Sequence, residues 1–156
     1  MRPSLLRPWA VRMVFAAVAL HLVVGMALPV LVSWPFLDAY HDATAAAFWG
    51  RHGVPAAALA HQRWWMALFG PTVQAAAIWM GALAWLGARH RIPFAWGALM
   101  AGLLLWAPQD MAISLQAGAW HHVWLDSLAL AGMLPPLAYL FVVDRQGVRN
   151  ADAVGR

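Results

Sequence analysis

The chain has 156 residues, 63% of them hydrophobic and only 10% charged, with a formal charge of +4 and a mean hydropathy of +0.64. Soluble domains carry roughly 25% charged residues, so this balance excludes an ordinary water-soluble fold and indicates one integral membrane domain, 1–156. The ten basic residues are all arginine, scattered between apolar runs, which excludes nucleic acid as a partner; the absence of cysteine excludes disulfides, thiolate nucleophiles and cysteine-ligated metals.

A membrane-crossing helix needs about 20 mainly apolar residues. The first such run, 13–34, follows a tail holding Arg2, Arg7 and Arg12. The tail has the look of a signal peptide, but the apolar run outlasts a signal core of roughly 7–15 residues and no small-x-small site ends it. A retained first span is expected. The loop 35–63 is too long for a simple turn. Asp38 is placed to cap a helix whose apolar face would be Leu37, Tyr40, Phe48 and Trp49, and Gly53 and Pro55 would end it. One or two short helices at the outer interface are expected, anchored by Trp49, Trp64 and Trp65, with "VPAAALAHQRWW" as a second helical piece leading into the next span.

Three further spans follow at roughly 64–87, 93–115 and 121–143. The last two are joined by about five residues and must therefore be antiparallel neighbours. Pro29, Pro71, Pro108 and the pair Pro135–Pro136 fall in or near the spans, where neighbouring helices must satisfy the carbonyls they free. Ala77 with Gly81, and Gly97 with Ala101, are small-residue pairs that permit close helix approach. The fold class is all-α: a polytopic four-transmembrane-helix bundle with short interfacial helices in the first outer loop.

Arginine placement sets the expected orientation. With the N-terminus inside, Arg2, Arg7, Arg12, Arg89, Arg91, Arg145, Arg149 and Arg156 are cytoplasmic, and only Arg51 and Arg63 lie outside. This bias places both termini in the cytoplasm of a bacterial inner-membrane protein.

That topology gathers most of the other ionisable groups on the outer side. Asp38, His41, Asp42, His52 and His61 belong to the outer loop, and His121 and His122 open span four. Asp110 lies about 25 Å from the inner end of span three at 1.5 Å per residue. Asp126 stands one turn below His122, at i and i+4. An aspartate within a span costs roughly 2.5–3.5 kcal/mol at the centre and usually faces the bundle interior. The expected arrangement has Asp126 directed at Asp110 or Gln109, with His122 above it as a hydrogen-bond partner.

The candidate polar site is therefore Asp110, Asp126, His122, Gln109, Asp38, His41 and Asp42. Imidazole and carboxylate suit zinc, copper or iron, yet "HHxxxD" completes no metalloenzyme motif, and the metal stays unknown. His21 lies too far in depth from His121 and His122 for a bis-histidine haem. The four serines sit in no nucleophile motif, no phosphate-binding glycine loop is present, and no catalytic residue or cofactor is assigned.

The stretch "LLLWAPQDMAISLQAGAWHHVWLD" resembles a family of small proteobacterial inner-membrane proteins, sometimes labelled cell-division proteins. In size the chain is also similar to DoxX-like proteins. The tryptophan count is shared with the tryptophan-rich sensory proteins, but those have five spans and a Pro-Pro-Trp first loop that this chain lacks. The first resemblance implies an envelope role and assigns no functional residue. The reading is of a small non-enzymatic accessory or interaction protein, with the lipid bilayer and either a membrane-protein partner or a second copy as partners. The alternative is a metal, quinone or proton-coupled small-molecule site at the outer end of the bundle.

Overall fold

The computed structural model describes residues 3–50 and 53–154. Arg2, Arg51, His52 and Arg156, which enter the charge and loop arguments, lie outside the described residues. Five α-helices and one short 3-10 turn account for nearly all the rest: α1 Pro3–Leu31, the turn Pro35–Leu37, α2 Asp38–Trp49, α3 Ala56–His90, α4 Pro93–Gln116 and α5 Trp120–Val154. Four of them, α1, α3, α4 and α5, are long and apolar enough to cross a membrane. The protein is an all-α, multi-pass four-helix bundle.

The helices outrun the spans expected from hydropathy, because alanine and arginine keep helical propensity where apolar content falls away. At 1.5 Å per residue the 35 residues of α3 extend about 52 Å against a hydrocarbon core of about 30 Å. No separate helix precedes span two: "AAALAHQRWW" is the first part of α3 itself. Pro55 sets the start and no glycine interrupts before Gly70. Only α2 forms an independent short helix in the loop, ending at Gly50 with φ 58°.

Sharp stops set the two tight turns. Gly118 adopts φ 71° after α4; its N–H bonds Leu115 O at 3.1 Å and the Ala119 N–H bonds Ser114 O at 2.8 Å, the double closure of a Schellman motif. Between α3 and α4, Arg91 takes the left-handed conformation and Pro93 opens α4.

Around the bundle α1 packs chiefly on α3 and α4 on α5, while α1–α5 and α3–α4 contacts close the ring. The buried core, Ala10, Val14, Ala84, Trp96, Leu137 and Leu140, belongs to the half near the chain termini, called here the terminal end. At the other half, the α2 end, the α1–α3 contact is backbone-close. A Cβ on Gly25 would meet Gly70 O at 2.9 Å, and one on Gly70 would meet Pro29 Cδ at 2.6 Å. Pro29 has no N–H to give the carbonyl four residues before it, that of Gly25. The Gln74 side chain of α3 supplies the missing donor, its Nε2 bonding Gly25 O at 2.9 Å. A proline in one span is thus compensated by an amide from the next.

Candidate functional site

Two polar assemblies stand at opposite ends of the bundle. At the α2 end, α2 lies across the helix ends and bonds to both helix pairs. His41 is 3% exposed, with Nε2 2.7 Å from Val32 O and Nδ1 3.1 Å from the Gln62 amide nitrogen. A carbonyl only accepts, so Nε2 carries the proton and Nδ1 accepts from Gln62. Both ring nitrogens are thereby committed to holding α2 against α1 and α3.

Toward α5 the contacts are Tyr40 Oη with His122 Nε2 at 2.8 Å and Thr44 Oγ1 with His121 Nε2 at 3.2 Å. The Thr44 hydroxyl spends its hydrogen on Tyr40 O, 3.0 Å away. His121 Nε2–H is therefore the donor to Thr44. Burial holds the Tyr40 phenol above its ordinary range, the nearby Asp110 carboxylate adds to the rise, and Thr44 opposes it. Tyr40 is accordingly a protonated phenol beside His122. The two histidine rings meet edge to face at 4.6 Å.

Beneath this layer Asp126 is 4% exposed, and its Oδ2 is buried without a hydrogen-bond partner. Its carboxyl lies close to that of Asp110 from α4. The short α4–α5 turn puts them at one depth, six residues before Gln116 and six after Trp120. Two carboxylates this close repel, and a proton shared between them would remove the repulsion.

Of the other sequence candidates, His122 turns to Tyr40 and not to Asp126. Gln109 is exposed and bonds Leu105 O of its own helix. Asp38 and Asp42 are exposed on α2. Among the described residues no three histidine, aspartate or glutamate side chains come close enough to hold a metal ion. The α2 end is a layered hydrogen-bond network of Tyr40, Thr44, His121 and His122 over Asp110 and Asp126.

The second assembly was not among the sequence candidates. At the terminal end Asp144 of α5 is 1% exposed. Arg7 of α1 bonds it through two parallel contacts, Nε to Oδ1 and Nη2 to Oδ2, each 2.9 Å. Arg7 Nη2 also reaches Gly87 O and Ala88 O of α3 at 3.3 Å. Trp96 of α4 donates its indole N–H to Asp144 Oδ2 at 2.9 Å. One carboxylate therefore joins all four spans. The legible signal was Asp144, an aspartate directly after the last apolar run, with Arg7 just before the first one.

Comparison with protein-family models, with characterised proteins and with solved structures gave no match. The terminal-end clamp is closed and fully paired. The α2 end holds an unsatisfied carboxyl, and that is where chemistry has room.

Proposed function

We propose that this multi-pass protein is a non-enzymatic component of the bacterial inner membrane that binds a proton at Asp126–Asp110 and transmits its presence to the α2 layer. The observation that carries the reading is the buried Asp126 carboxyl, its Oδ2 without a hydrogen-bond partner, beside a second carboxyl, that of Asp110. Tyr40, which feels the Asp110 charge and touches His122, is the route by which a change at the carboxyls reaches α2. The arginine distribution supports cytoplasmic termini, which puts this site on the outer side.

Infrared spectra of the full chain in nanodiscs test the proposal. A protonated carboxyl carbonyl band is expected to grow in as the pH is lowered, displaced by deuteration and lost in Asp126→Asn. Absence of that band from the unsubstituted protein, or its persistence unchanged in both Asp126→Asn and Asp110→Asn, would refute it.

The accessory or interaction role is the second reading, favoured by the span surfaces. Only 11–22% of each span's most apolar window is buried within the chain. The remaining faces are available to lipid, to a membrane-protein partner or to a second copy. A cell-division association is supported by sequence resemblance alone.

A further inference from the structure

The N-terminal part of α3 is not needed to cross the bilayer and stands beside α2 at the level where Trp49, Trp64 and Trp65 would meet lipid headgroups. Between the two helices is a groove of about 400 Å³, lined by Thr44, Phe48, Trp49, His61, Gln62 and Trp65 among others. That volume lies within the roughly 300–1,000 Å³ of small-molecule sites, which combine apolar walls with a few placed polar groups.

The hydrogen bonds already made in the groove decide what it still offers. The Trp65 indole can only donate, and its N–H bonds His61 Nε2 at 2.9 Å. The neutral His61 ring therefore carries its proton on Nδ1, which remains an unused donor. The Gln62 nitrogen is engaged with His41, so Gln62 offers its carbonyl oxygen as an acceptor. Thr44 is already paired on both counts. Among the described lining residues none is a lysine, arginine, aspartate or glutamate. The described lining residues thus present one N–H donor, one carbonyl acceptor, two indoles and a phenyl ring, without fixed charge. An anionic phosphate head meets no cation among the described lining residues.

We propose that this groove binds the head ring of a quinone-class amphiphile. A planar, uncharged ring fits the aromatic walls. One ring carbonyl accepts from His61 Nδ1–H, a reduced ring's hydroxyl donates to Gln62, and the isoprenoid tail follows α3 into the bilayer. The site uses neither aspartate of the carboxyl pair, so the inference holds whether or not Asp126 carries a proton. It concerns binding alone.

The test uses decylubiquinone and the full chain in nanodiscs, with bound quinone measured against empty nanodiscs. One saturable site per chain is expected, weakened about tenfold by His61→Ala through loss of its hydrogen bond and weakened again by Trp65→Leu. Trp124→Phe, on the exposed face of α5, is expected to bind as the parent does. His61 is exposed, so its removal leaves the fold intact, and a circular dichroism melt checks this. Uptake that never saturates, or saturable uptake indifferent to both His61→Ala and Trp65→Leu, overturns the proposal. So does retained phospholipid with no quinone above the empty-disc level, which would make the groove a lipid seat.

Discussion

The Arg7 guanidinium grips Asp144 across 137 residues of sequence, through two parallel bonds of 2.9 Å. It is a fork-to-fork pair in which the carboxylate side chain is fully buried and the arginine 18% exposed. Such a pair costs much desolvation to form, and removing one partner leaves a buried charge behind. Arg7→Ala is therefore expected to destabilise the bundle by about 3–5 kcal/mol. The double variant Arg7→Met with Asp144→Leu should recover part of that loss, because no uncompensated charge remains. Reversible unfolding in mixed micelles measures both. A single-variant cost near zero would show that the pair is not part of the bundle's stability.

Gly87 is the seat of the Trp96 indole. A Cβ there would lie 2.5 Å from Trp96 Cε2, and Trp96 is wholly buried. Gly87→Ala should cost about 1–3 kcal/mol by overpacking and should alter Trp96 emission as its bond to Asp144 lengthens. Gly102→Ala is the comparison, since nothing lies within 4 Å of its added carbon. There the gain in helix propensity should leave stability equal or slightly higher. Equal melting temperatures for the two variants would contradict the close Gly87–Trp96 contact.

Gln74 and Pro29 should be coupled. Gln74→Leu strips the donor from Gly25 O and should cost about 1–3 kcal/mol for an unsatisfied buried carbonyl. Placing the same change on a Pro29→Ala background restores a backbone N–H to that carbonyl. Its cost should then shrink. A double-mutant cycle with no coupling energy would mean that the carbonyl finds another donor.

Asp126→Asn preserves shape and supplies an N–H donor to the Asp110 carboxylate, so its stability should stay within about 1 kcal/mol of the parent. Asp126→Leu offers Asp110 nothing and should lose about 1–3 kcal/mol more. The His122 ring signals, followed by NMR, should move in both variants as the contact with Tyr40 is perturbed. Equal stability of all three proteins with an unmoved His122 would reduce the cluster to helix-end solvation.

Alkaline stability should report Tyr40. Its phenol holds its proton above the ordinary 10.0 because it is buried. As pH rises past that value, the unfolded chain ionises first and the folded one does not. The unfolded state then binds fewer protons, and stability falls with each further step until Tyr40 ionises in the folded state. Tyr40→Phe should flatten that decline. An identical alkaline slope in parent and variant would place the burden on other groups.

The α2-end cluster was partly legible in the chain, and the reason is geometric. Five connecting residues between spans three and four fix two helices antiparallel, so Asp110 and Asp126 had to share a depth. The partner of His122 was not legible, because Tyr40 comes from a helix whose docking direction no periodicity specifies. Gln109 looked equivalent to Asp110 on sequence, yet one step around a helix is 100°, and the contact with α5 selects only one of them.

The amino-acid sequence by itself determined that the chain crosses a membrane four times and that a helix rests at one interface. Both follow from local quantities, the length of apolar runs and the placement of tryptophan, proline and glycine. Only the tertiary structure decided that Asp144 joins four spans, that Gln74 repairs the break made by Pro29, and that Gly87 seats Trp96. Each of these contacts joins residues of different spans, and which faces meet is set by side-chain shape at the crossing, which no pattern along one helix encodes.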